Sequence, residues 1–79
     1  MTEDQKAIST VLDMLNASKG VPRTLSWIEA ELRLAGRRAE TPAIIDVMTD
    51  KKLVAVAKDA LGIRRYSLTA TGKDALDLL

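Results

Sequence analysis

The side chains best suited to chemistry in this chain are cations, and they are unevenly placed. Arg33, Arg37, Arg38, Lys51, Lys52, Lys58, Arg64, Arg65 and Lys73 face only Glu40, Asp46, Asp50 and Asp59 between residues 33 and 73. Residues 1–32 are net acidic, with Lys6, Lys19 and Arg23 against Glu3, Asp4, Asp13, Glu29 and Glu31. The whole chain carries only +1, so it is the distribution that is informative. A lopsided charge suits one face for a polyanion; a solvated surface of mixed charge is the alternative. Covalent chemistry is poorly supplied. With no His and no Cys, two of the commonest catalytic side chains and the usual zinc ligands are missing. The four glycines at 20, 36, 62 and 72 are isolated and make no phosphate loop. Glu29/Glu31 and Asp74/Asp77 have no histidine partner and read as solvated helix faces. The expectation is a binding protein rather than an enzyme, with no cofactor and no metal.

Each candidate has a plain structural reading beside the functional one. Arg64 and Arg65 are adjacent in an expected strand, so they point to opposite faces and do not form one patch. Arg37 and Arg38 fall in a turn and serve either phosphate or solvent. Lys51 and Lys52 complement a helix C-terminus and aid solubility, with phosphate contact as the alternative. Trp27, in the first turn of a helix, reads as packing, and Tyr66 as a cross-strand packing residue.

The elements that must position these groups follow from periodicity. Ala7, Ile8, Val11, Leu12, Met14 and Leu15 recur at helical spacing and predict a helix over 3–17, capped by Thr2 and stopped near Gly20 and Pro22. Ser26-Trp-Ile-Glu29 has the capping-box pattern and opens a second helix. It runs to about Ala35 and Gly36, with Ile28, Leu32 and Ala35 inside and Leu25 as a staple before the cap. Thr41-Pro42 opens a third, with Thr41 as the cap, Pro42 at the first position and Ile44, Ile45 and Met48 buried. The period then shortens. Leu53–Ala57 and Arg64–Thr69 predict two strands joined through Lys58–Ile63, with Gly62 free to take a positive φ. Thr69 or Thr71 caps a short last helix carrying Ala75, Leu76 and Leu79. A lone hairpin is barely stable in water, so a short third strand is expected around Arg23–Leu25.

From Leu25 onward the chain resembles the winged helix-turn-helix domains of bacterial MarR-like and PadR-like regulators. Leu25, Ile28 and Leu32 have the spacing of that helix-turn-helix. Met48-Thr-Asp-Lys-Lys-Leu53-Val54 is similar to the family's Leu-x-x-x-Gly-Leu-Val, with Lys52 where glycine is usual. Tyr66-Ser-Leu68-Thr69-Ala-Thr-Gly72 resembles its Leu-Thr-x-x-Gly closure, the most specific of the three. The resemblance implies a mainly α fold with a small β-hairpin: a three-helix core, a wing of two or three strands and a short C-terminal helix. It implies a transcriptional regulator that binds duplex DNA through the third helix, 41–52, and the wing, 53–69. Base-reading positions would be Thr41, Ala43, Asp46, Val47 and Thr49. Phosphate contacts would come from Arg37, Arg38, Lys58, Arg64 and Arg65. The third helix departs from expectation: its outer face has no Arg, Lys, Asn or Gln to read bases bidentately, and it carries Asp46 and Asp50. That departure favours the second reading, a winged-helix protein-interaction module without DNA.

At 79 residues the chain suits one domain, 1–79, whose aliphatic core supplies roughly 3–5 kcal/mol of net stability. A homodimer is expected, paired through the terminal helices at Ile8, Leu12, Leu76, Leu78 and Leu79. No apolar run is long enough to span a bilayer and the N-terminal residues do not resemble a secretory signal, so the expected setting is cytoplasmic.

Overall fold

Helix α1 (Glu3–Ala17) forms where the apolar spacing places it. Thr2 accepts from the Gln5 N–H while the Gln5 side chain accepts from the Thr2 N–H, a reciprocal cap whose Thr2 half was legible in the sequence. Glu3 and Asp4 sit at the positive end of the helix dipole. The structure, a computed structural model, describes residues 2–78. After α1 come β1 (Arg23–Thr24), α2 (Leu25–Leu34), α3 (Thr41–Asp50), β2 (Val54–Lys58), β3 (Arg64–Leu68) and α4 (Ala70–Asp77). The result is a small domain of four helices and a three-stranded antiparallel sheet in the order β1-β3-β2.

Local details differ from the sequence reading in instructive ways. The cap of α2 is Thr24, whose hydroxyl accepts from the Trp27 N–H at 3.2 Å, so Ser26 is already helical. Glu29 pairs with Arg33 instead of returning to a cap. Thr24 is also a strand residue of β1, and one hydroxyl there ends the strand and starts the helix. Leu25 is then the first helical residue, and Ala35, at the helix end, is exposed. In α3 the N-cap is Glu40, with no side-chain cap bond. Thr41 lies one position further in and is 4% exposed. Thr69 caps α4 by accepting from the Gly72 N–H at 2.9 Å.

The core is one cluster drawn from every layer. It holds Ala7, Val11, Leu12 and Leu15 of α1, Ile28 and Leu32 of α2, and Ile44, Ile45 and Met48 of α3, closed by Val54 and Tyr66 of the sheet. Trp27 and Leu68 pack partly buried at its edge. Among the described residues no buried side-chain polar atom lacks a partner, as a small core requires.

Two backbone positions fix how the sheet joins the helices. Lys52 takes φ +59 in the turn leaving α3, a left-handed conformation that side chains adopt at a cost. Gly72 packs against the backbone oxygen of Leu53, and a Cβ there would also lie 2.7 Å from Leu68 Cδ1. Glycine is needed at 72 for space, where α4 closes over the exit from α3.

Candidate nucleic-acid interface

The hairpin stands out from the body. Along β2 only Val54 is buried, and Ala55 to Lys58 are exposed. Register decides which cations share a face. Val54 lies opposite Leu68, Val56 opposite Tyr66 and Lys58 opposite Arg64. These six share the face that carries the core at its inner end. Arg23, opposite Tyr66 on the other side of β3, belongs to that face too. Arg65 faces the other way, with Ala57 and Thr24 as its neighbours.

The two hairpin arginines therefore have different surroundings. Arg65 Nε donates to Asp59 Oδ2 at 3.0 Å, so its charge is matched within the chain. The Asp59 carboxyl is held below its ordinary value, first by that bond and then by the Ile63 N–H. Arg64 is exposed beside Lys58. Among the described residues neither has an acidic partner. Like charges directly opposite on a sheet repel, so this end of the hairpin carries cationic charge without an ion-pair partner among the described residues.

The turn before α3 is differently disposed. Arg37 is half-buried and its Nε donates to Thr10 Oγ1 of α1 at 3.1 Å. The Arg38 backbone N–H donates to the Glu3 carboxylate at 3.1 Å, and its side chain is exposed. Both residues line a shallow cleft of about 340 Å³ shared with Glu29, Arg33 and Glu40, a lining of mixed charge. No hydrogen bond or ion pair among the described residues joins this turn to the hairpin cations.

Helix α3 leads through Leu53 directly into β2, so its outer face and the hairpin are covalent neighbours. Ala43, Asp46 and Val47 are exposed on it. Thr49 is half-buried and donates to the Ile45 carbonyl at 2.8 Å. Thr41 does not belong to the outer face: it turns into the core because the helix begins one residue earlier than a Thr41 cap requires.

Two residues at the site were missed from sequence. Arg23 lies over the Trp27 ring at 4.4 Å and donates from Nε to Ser18 Oγ at 3.0 Å, tying α1, β1 and α2 together. Its four-residue spacing from Trp27 and the short strand expected around Arg23–Leu25 were visible, but the stacking of the guanidinium on the ring was not. Asp59 organises the hairpin turn, and its Asp-x-x-Gly pattern was a readable signal.

Away from this surface, α1 and α4 enclose an open groove of about 800 Å³ that includes Ile8, Leu53, Ala75 and Leu76. Leu12 at its floor is a core residue, 1% exposed, and so cannot supply interface area as expected. Leu78 is fully displayed, and Leu79 lies outside the described residues. Among the described residues no helix is long and apolar enough to cross a membrane, and no group of three or more acidic side chains is placed to hold a metal ion. No family model, curated protein or solved structure matches the chain.

Proposed function

We propose that this chain is a winged helix-turn-helix domain that binds duplex DNA, with the β2–β3 hairpin as the wing and α3 as the helix offered to the major groove. The observation that carries the reading is the pair Lys58 and Arg64, opposite each other on a projecting hairpin and without a carboxylate partner among the described residues. Intramolecular pairing would have been the stabilising choice, as Arg65 and Asp59 illustrate at the adjacent positions of the same hairpin. Unpaired cations held side by side are relieved by phosphates, whose counterions are released on binding. Ala43, Asp46, Val47 and Thr49 would face the groove, and Arg38 would reach the backbone from the preceding turn. The likeness to MarR-like and PadR-like regulators supports transcriptional control by a homodimer, with half-sites about 34 Å apart.

Fluorescence anisotropy of the chain on mixed-sequence duplex DNA tests this. Affinity should fall steeply as salt rises from about 50 to 200 mM, because each phosphate contact releases counterions. Binding that is absent, or insensitive to salt, defeats the proposal.

A second reading, a protein-interaction module on the same fold, is favoured by one observation. The outer face of α3 presents Asp46, Val47 and Asp50, and Val47 is 40% exposed. An acidic face with an apolar centre suits a basic protein partner better than phosphate. On that reading, Arg64→Glu with Arg65→Glu leaves the complex intact, whereas Asp46→Lys disrupts it.

A further inference from the structure

At the apex of the hairpin a large apolar side chain is held in solvent by a turn with little freedom. Leu61 is 84% exposed. One oxygen of the Asp59 carboxylate accepts from the Leu61 N–H at 2.9 Å and from the Ile63 N–H at 3.0 Å, and the other accepts from Arg65 Nε. The Asp59 N–H donates to the Ile63 carbonyl and the Gly62 N–H donates to the Asp59 carbonyl, each at 2.9 Å. Gly62 takes φ +78 with open space around it. These donors all point inward, so the turn is closed on itself and the Leu61 side chain is aimed away from it. Lys58 and Arg64 stand at its base.

Resting on the duplex-binding reading, we infer that Leu61 is an apolar wedge that enters the minor groove and opens a base step while Lys58 and Arg64 hold the flanking phosphates. The dimensions favour this occupant. The apex side chain is the first part of the hairpin to meet an undeformed minor groove of about 6 Å, and Gly62 beside it lets the backbone come close. Leucine is among the side chains that unstack a step from the minor groove. A lipid surface is the poorer fit: one leucine, worth roughly 2 kcal/mol when buried, gives only weak attachment, and stable anchoring needs a second signal.

The test uses the whole chain with duplexes carrying 2-aminopurine at a central T·A step, a step that unstacks easily. The variants are Leu61→Ala and Leu61→Ser. Both keep the N–H that Asp59 accepts, so the turn is retained, and circular dichroism checks the fold. At saturation the wild-type chain should raise 2-aminopurine emission severalfold. The variants should leave it at the free-duplex level, with an unchanged salt slope and binding weaker by roughly three- to tenfold. Wild-type binding with steep salt dependence and no change in emission overturns the wedge alone. Equal emission from wild type and the variants does the same. A wild-type chain that binds no duplex overturns the wedge together with the duplex reading. So does a chain that binds phosphatidylserine vesicles instead.

Discussion

Replacing Lys58 and Arg64 together by glutamine should weaken DNA binding and stabilise the fold at once. The register sets these cations directly opposite each other, and among the described residues no carboxylate offsets them. Opposed like charges on a sheet cost up to about 1 kcal/mol, and exposure to solvent brings this to a few tenths. Removing the pair should therefore raise the melting temperature by about 1–3 °C for a domain of this size. On DNA the sign reverses. Each phosphate contact contributes about −0.9 to the slope of log K against log salt. Two lost contacts flatten the slope by about 1.8 per bound copy, and affinity at about 0.1 M salt falls roughly 60-fold relative to a 1 M reference. Anisotropy titrations at several salt concentrations give the slope, and thermal denaturation followed by circular dichroism gives the stability. An unchanged slope would show that these cations touch no phosphate. A variant destabilised by more than about 0.5 kcal/mol would show that the pair supports the fold, contrary to the repulsion argument.

Three further perturbations test the architecture. Gly72→Ala forces a Cβ onto the Leu53 carbonyl, a backbone group that cannot yield as a side chain tip would. A loss of about 3 kcal/mol is expected, most of the stability of so small a domain, and urea unfolding that stays within about 0.5 kcal/mol of wild type would contradict it. Thr24→Ala removes the cap of α2 and should cost about 1 kcal/mol, whereas Ser26→Ala should stay within about 0.5 kcal/mol; the reverse order in urea midpoints would restore Ser26 as the cap. The Asp59 carboxyl is depressed below 3.8, first by Arg65 and then by the N–H groups of the turn. A depressed acid contributes stability above its unfolded value and loses it as pH falls through the folded one. The stability difference between wild type and Asp59→Asn should therefore shrink as pH drops below 3.8, and a difference flat across that range would show that the bonds to Asp59 carry no weight.

How much was legible in the sequence varies with the range of the interaction that decides it. The extent of α1 follows from apolar spacing, and so does the break at Gly20, because both are properties of neighbours along the chain. The edges of α2 and α3 were harder. Thr24 outcompetes Ser26 for the cap because β1 pairs with β3 and holds Thr24 extended, which is where a capping residue must be. That pairing spans some forty residues of sequence; a short strand around Arg23–Leu25 is expected because a lone hairpin needs support, but nothing local shows that it makes Thr24 the cap. The burial of Thr41 likewise comes from where α3 lies against the core.

By itself the sequence determined the order of elements, the aliphatic core, the hairpin with its turn, and the absence of histidine and cysteine. These follow from side-chain type and from periods of 3.6 and 2, which act within a few residues. The tertiary structure decided which charges remain available. Five cations were equal candidates as letters, yet folding matched Arg65 to Asp59, tied Arg37 to Thr10, and left Lys58 and Arg64 facing one another. The physical reason is that a charge stays unpaired only when no partner is in reach, and reach is set by strand register and by contacts between residues far apart in sequence.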